Sequence, residues 1–385
     1  MAAVFREEAG RLAATLVGIF GNFELAEEVV QDALLAALER WPAEGIPEKP
    51  GAWLLTVARR RAIDVVRRDA RYRDKLAQLA EPAAAEPDDR LRLIFTCCHP
   101  ALSEEAQVAL TLRTVCGLSV AEIASAFLTS ESTVAQRLVR ARQRIVAAGI
   151  PYRLPSSDDL EERLNAVLAV LYLLFNQGYL THGGQYDLTS DAEWLTSLLA
   201  RLMPDEPEVL GLLALIRLHR ARVSGRFDAQ GSIVLLRDQD RSRWDRKAIA
   251  AAGELLAQAA RLGRTGPYQL QSAIVACHAE APSWEETDWR QIVLLYDALL
   301  ALAPSPVVRL NRAVALSQVH GPAVALAEVD ALGESLSRYH LYHATRAELL
   351  RELGRAADAR LADEQALQLA SNPAERAVLS RRLTP

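Results

Sequence analysis

Residues 119–142 read Ser119-Val120-Ala121-Glu122-Ile123-Ala124-Ser125-Ala126-Phe127-Leu128-Thr129-Ser130-Glu131-Ser132-Thr133-Val134-Ala135-Gln136-Arg137-Leu138-Val139-Arg140-Ala141-Arg142. Ser119 and Glu122 have the spacing of a capping box that opens a short helix. Phe127-Leu128-Thr129 breaks that helix, and Ser130 can cap a second one. Beyond the cap, Val134, Leu138, Ala141 and Ile145 recur at i, i+4, i+7 and i+11, one apolar stripe turned inward. Ser132, Thr133, Gln136, Arg137 and Arg140 take the opposite face. Their hydroxyls, amide and guanidinia are the groups that bond phosphates and base edges in a major groove. A helix, a three-residue turn and a polar second helix make a helix-turn-helix. That motif serves many kinds of DNA-binding protein.

A second basic segment lies upstream. Trp53 to Arg68 predicts a helix whose apolar side holds Leu54, Val57, Ala58, Ile63 and Val66, with Trp53 starting that side as a core residue. Its other side is cationic: Arg59, Arg60, Arg61, Arg67 and Arg68 are placed to follow a nucleic-acid backbone, with Asp64 among them. Residues 1–48 have the reverse balance, Arg6, Arg11 and Arg40 against nine carboxylates. Phe23 to Trp41 is an acidic amphipathic helix. An acidic helix beside a basic one points to two partners, a basic protein surface and a nucleic acid.

At these residues the chain resembles the extracytoplasmic-function (ECF) sigma factors of bacterial RNA polymerase. "LAEEVVQDALLAALERW" is similar to the region that grips the polymerase clamp helices, which points to Glu27, Glu28, Gln31 and Asp32. "AWLLTVARRRAIDVVRR" resembles the region that opens and reads the −10 element. "LSVAEIASAFLTSESTVAQRLVRARQRI" resembles the region that reads the −35 element. The remainder is similar to a long subgroup with a tetratricopeptide-like extension, through "DDRLRLIFTCCHPALS", "LLRDQDRSRWDR", "GPYQLQSAIVACHAEA" and "APSPVVRLNRAVAL". The chain departs from the family at Arg60, where such factors often carry Asn. The resemblance implies core RNA polymerase (clamp helices and flap) and promoter DNA as partners. It also implies a flipped −10 base held by the Pro/Gly loop 42–51.

The expected fold is all-α, in three parts. Residues 1–73 form the first helical unit, 74–90 an acidic Ala/Pro-rich linker, 91–150 the helix-turn-helix domain, and 156–385 a helical extension. Leu164 to Phe175, apolar nearly all round, predicts a buried helix. Ser232 to Leu236 reads as a short strand or turn. Arg312 and Arg346 open similar phrases 34 residues apart, with Gly321 and Gly354 following near the same phase. That is the tetratricopeptide period, and stacked pairs of this kind build a groove. The extension is expected to dock on the sigma domains, either shielding them or holding them active.

Net charge is −5, so nucleic-acid binding must come from local patches. Of 44 Lys and Arg, only Lys49, Lys75 and Lys247 are Lys, so the placement of Arg carries the argument rather than its number. Cys97, Cys98, Cys116 and Cys277 lack the spacing of a disulfide framework. With no apolar run long enough to span a bilayer, a cytoplasmic protein without membrane contact is expected. Cys97-Cys98-His99 reads as buried helix rather than metal site, because adjacent cysteines are poor joint ligands for zinc. His340 and His343 read as packing residues. Asp238, Asp240, Arg243 and Arg246 surround Trp244, either as a solvated cap or as an interdomain lock anchored by the indole. No phosphate loop, dinucleotide fingerprint or hydrolase motif is present, so no enzyme, cofactor or metal is expected. A helix-turn-helix regulator with a tetratricopeptide-like sensor domain is the alternative.

Overall fold

The computed structural model describes residues 2–68, 89–127, 129–179, 187–228 and 232–383. The linker expected at 74–90 lies outside them except for its last two residues, as do Leu128 and Gly231. The described residues are helical, with one isolated antiparallel bridge, Phe227 to Ile233. A 3₁₀ turn at Leu236–Asp238 follows, so the stretch 232–236 contributes a single bridge rather than a strand. The chain divides into compact units 1–195 and 196–385. The described residues of 156–195, read from sequence as the start of the extension, therefore belong to the first unit.

In the first unit α1 (Ala2–Phe20), α2 (Phe23–Glu44) and α3 (Pro50–Arg68) pack on one another. Asn22 caps α2 by accepting from the Leu25 amide at 3.1 Å. The loop expected from Pro42 to Gly51 is shorter than its composition suggests. Pro42 is tolerated in the last turn of α2, and Gly45 closes the helix at φ 84°, its N–H donating to the Trp41 carbonyl at 2.9 Å. Pro50 opens α3, where a helix has no use for the missing N–H. Leu54, Ala58 and Ala62, one turn apart, are fully buried. Trp53 packs edge-on against buried Trp41, ring centroids 5.5 Å apart.

The helix-turn-helix domain comprises α4 (Arg90–Cys97), α5 (Glu104–Thr114), α6 (Val120–Ala126) and α7 (Glu131–Ala147). Both halves of the capping box form: the Glu122 amide donates to Ser119 Oγ at 3.1 Å and the Ser119 amide to Glu122 Oε2 at 2.7 Å. Ser130 caps α7 by accepting from the Thr133 amide, and Val134, Leu138, Ala141 and Ile145 are its buried stripe. Cys97, Cys98 and Cys116 are buried and form no disulfide, and burial pushes Cys98 up to about 12. Behind them lies α8 (Leu160–Tyr179), packed on α4 and α5 through a helix that buries Leu164, Val167, Leu168, Val170, Leu171, Leu174 and Phe175. Arg163 on α8 donates to the Phe95 carbonyl of α4 at 2.5 Å.

After α9 (Leu188–Leu202), which contains the boundary, the second unit is built on α10 (Pro207–Ala221), nearly all of it buried. Around it run α11 (Val223–Arg226), α12 (Arg246–Arg261) and α13 (Pro267–Glu280). The array continues through α14 (Trp289–Leu302), α15 (Pro306–His320), α16 (Pro322–Asp330), α17 (Gly333–Leu336), α18 (His340–Glu352), α19 (Ala356–Leu369) and α20 (Pro373–Leu383). The 34-residue recurrence has a geometric counterpart. Arg312 on α15 pairs with Asp297 at 2.6 Å, and Arg346 on α18 pairs with Asp330 at 2.7 Å. Gly321 and Gly354 then turn the chain at φ 85° and 73°, left-handed backbone that favours glycine. His343 is buried with Nε2 2.7 Å from the Ser337 carbonyl. No described helix is long and apolar enough to cross a membrane.

Candidate nucleic-acid interface

Burying the apolar stripe of α7 turns its other face outward. Ser132, Thr133, Gln136 and Arg140 are exposed, and Arg137 is half-buried at the edge of the same face. The Ser130 hydroxyl bonds those of Ser132 and Thr133 at 2.9 and 2.8 Å, so the N-terminal turn holds an ordered cluster of hydroxyls. An exposed helix N-terminus with hydroxyls, an amide and guanidinia on one side suits the edge of a duplex groove. The other arginines of α7 face elsewhere. Arg142 turns toward α2, and Arg144 donates to the Ala101 carbonyl at 3.3 Å.

On α3, Arg60, Arg61 and Asp64 are exposed and Arg59 is half-buried. Arg67 and Arg68 belong to the same helix, but their side chains lie outside the described residues. Arg61 comes within 3.9 Å of Asp32, which ties the cationic face of α3 to the acidic face of α2.

The acidic set on α2 does not stay together. Glu28 and Gln31 are exposed and Asp32 is half-buried, whereas Glu27, read from sequence as part of a protein-binding face, is only 8% exposed. Glu27 accepts from Arg142 Nη2 at 2.7 Å, Arg113 Nε at 3.1 Å and Thr114 Oγ1 at 3.0 Å. These partners lie on α5 and α7, so this carboxylate joins the two helical domains. Neither arginine was a sequence candidate, since nothing local marks a pair 86 or 115 residues apart.

The backbone supports the same junction. A Cβ on Gly10 of α1 would lie 2.5 Å from the Val115 carbonyl oxygen, and Gly117 approaches Ala9. The Tyr152 hydroxyl donates to the Ala14 carbonyl at 2.7 Å. Burial holds that phenol protonated, far above its usual range.

In the second unit the charged cluster around Trp244 is rearranged relative to the sequence reading. Asp238, Asp240, Arg243 and Arg246 are exposed, while Trp244 is 3% exposed, packed with Leu218, Ile249, Ala252 and Ala276. The indole anchors the unit's own core. The cause is a 3₁₀ turn at Arg241–Arg243, capped by Asp240, which directs the ring inward and leaves its charged neighbours outside. Arg246 donates to the Ala279 carbonyl at 3.1 Å. Arg241, which the sequence did not single out, is buried beside the ring, 5.0 Å from its centroid, and donates to the His278 and Ala281 carbonyls at 2.7 and 2.8 Å. Two of the phrases singled out in the sequence thus meet at Arg241. Nearby is a cavity of about 400 Å³ lined by Trp284, Trp289, Tyr296 and Leu341. Arg237 and Glu348 also line it, paired at 2.8 Å.

Comparison with known proteins matches three stretches of the chain. Residues 4–72 match the family described as Sigma-70 region 2, and residues 92–145 match Sigma-70, region 4. Residues 163–260 match a family of unknown function, DUF6596. An uncharacterized protein of Rhizobium meliloti is 48% identical over 386 residues, covering 96% of this chain and 91% of its own length. The ECF RNA polymerase sigma factor SigL of Mycobacterium tuberculosis is 34% identical over 146 residues, which is 36% of this chain and 82% of that factor.

Proposed function

The chain belongs to the ECF sigma factors of the sigma-70 family, non-enzymatic factors of transcription initiation, and from that membership we propose the role of each surface. The face of α7 reads the −35 element, with Gln136 and Thr133 at base edges and Arg137 and Arg140 on phosphates. The cationic side of α3 follows the −10 strand through Arg59, Arg60, Arg61, Arg67 and Arg68, with Asp64 among them. Glu28, Gln31 and Asp32 meet the polymerase clamp helices, while Glu27, on the same helix, is buried against α5 and α7. The observation that carries this reading is the outward polar face of α7 on a buried stripe, in the same chain as a second basic helix.

The second part of the proposal is that the extension modulates initiation. Supporting it, the similarity to the Rhizobium protein runs through the extension as well as the sigma regions, and α8 packs on the helix-turn-helix domain. Transcription in vitro with core polymerase and a cognate promoter tests the assignment. Initiation that depends on the added protein is the expected result. A protein that binds promoter DNA alone but never joins core polymerase would instead be a conventional helix-turn-helix regulator.

A further inference from the structure

A cavity of about 400 Å³ lies wholly within the second unit, and none of its lining residues has a role in the function proposed above. That volume falls in the range of small-molecule pockets, about 300–1,000 Å³. One corner of it is aromatic. His278 on α13 stands with Trp284 and Trp289, the two indole centroids 4.4 Å apart at 63°. The imidazole centroid is 5.1 Å from Trp289 and 6.2 Å from Trp284. Tyr296, two turns along α14 from Trp289, extends the lining. Ring faces meeting at such an angle offer a flat molecule one surface to stack on and one to meet edge-on.

This corner is built in advance. The buried Arg241 guanidinium donates to the His278 and Ala281 carbonyls and to Thr287 Oγ1, so it holds both ends of the turn that carries Trp284. The Thr287 hydroxyl donates to the Ser283 carbonyl at 3.1 Å, and Trp289 Nε1 to the Trp284 carbonyl at 3.3 Å. Rings held in place beforehand lose little freedom when a ligand arrives. Three stretches singled out in the sequence reach the cavity from separate elements: Arg237 from 235–246, His278 from 266–281, and Asn311 with Val314 from 303–316.

Charge decides what the cavity can take. Its charged lining residues are two guanidinia, Arg237 and Arg382, and two carboxylates, Glu348 and Glu352. Arg237 and Glu348 pair at 2.8 Å, and Arg382 lies 3.6 Å from the same carboxylate. Burial, and then Arg222 and Arg241, lower His278 to about 4, so its imidazole is neutral at neutral pH. An ion entering this lining would shed water with no counter-ion to itself, a cost that an uncharged molecule does not meet. His278 Nδ1 is buried with no hydrogen-bond partner among the described residues, which leaves one polar atom for a ligand to satisfy.

We propose that this cavity is a binding site for a small, uncharged, flat aromatic molecule that stacks on Trp284 and Trp289. The site goes beyond the sigma-factor reading and is tested without polymerase.

Isothermal titration of the full-length protein with three near-isosteric probes tests it: uncharged indole-3-acetamide, anionic indole-3-acetate and cationic tryptamine. The amide should bind saturably, with a Kd at or below about 1 mM for a ligand of this size and a negative heat-capacity change. Both charged probes should bind about tenfold more weakly or worse. Trp284→Leu removes one stacking surface. Val314→Trp removes no contact of the cavity and fills it from α15, where Val314 is exposed. Each variant should weaken the amide about tenfold or more. Far-ultraviolet circular dichroism checks folding, and Val314→Trp decides alone if Trp284→Leu does not fold. Absence of saturable amide binding by the unaltered protein overturns the proposal. A charged probe that binds as tightly as the amide overturns it too, as does amide binding that folded Val314→Trp leaves unchanged.

Discussion

Replacing Trp244 with alanine separates a core residue from an interdomain anchor. The ring is 3% exposed and sits among Leu218, Ile249, Ala252 and Ala276 of the second unit. Truncating a buried Trp costs about 3–5 kcal/mol. Area gives a similar figure, since a Trp buries about 150–250 Å² at roughly 25 cal/mol/Å², or about 4–6 kcal/mol. Collapse into the space is limited, because Gly225 backs the ring directly and Arg241 and Arg222 stand 5.0 and 5.7 Å from its centroid. Taking ~4 kcal/mol, and roughly 2–4 °C per kcal/mol for a unit of this size, the second unit's melting midpoint should fall by roughly 8–16 °C. The indole N–H has no hydrogen-bond acceptor, so Trp244→Phe loses volume but no bond and should cost about half as much. The assay is thermal and urea unfolding followed by far-ultraviolet circular dichroism. If Trp244→Ala unfolds within ~1 kcal/mol of the unaltered protein, the ring is not the core element described, and an anchoring role between domains regains force.

On DNA, Gln136→Ala should relax discrimination at one base pair of the −35 element by ~1–3 kcal/mol, while Arg137→Ala should weaken all sequences alike and lower the salt slope by about 1. Competition binding across single-base variants at two salt concentrations reads both, and unchanged binding in both mutants would mean α7 is wrongly oriented. His278 is lowered to about 4, first by burial and then by Arg222 and Arg241, and buried His219 is lowered as well. His278 folds as a neutral ring, so its stabilisation is complete above the unfolded value near 6.5 and is lost as pH falls from there toward 4, and buried His219 adds a loss of the same sign. The loss for His278 is on the order of 3 kcal/mol, and His278→Gln should flatten it in acid unfolding curves. Truncation after Gly149 should abolish most promoter-directed transcription in vitro; a shortened protein as active as the whole would remove the extension from the mechanism.

What depends on neighbours along the chain is legible from residue order alone. The capping box at Ser119 and Glu122, the cap at Ser130 and the stripe Val134, Leu138, Ala141 and Ile145 are local hydrogen bonding and helical periodicity, and each forms as read. The outward set on α7 follows from that stripe by elimination. Paired glycines at 321 and 354 were legible for the same reason, since a left-handed turn is a property of one residue. Composition misled where a single residue outvotes its surroundings. Charged neighbours made Trp244 look like part of a surface lock, but a three-residue turn suffices to bury the ring and leave the charges in water. The fate of Glu27 depends on contacts far apart in the chain. On α2 it is one carboxylate among several, and its burial depends on two arginines and a threonine that packing brings from α5 and α7. A local pattern can say which face of a helix is polar, but what meets that face is set by long-range packing.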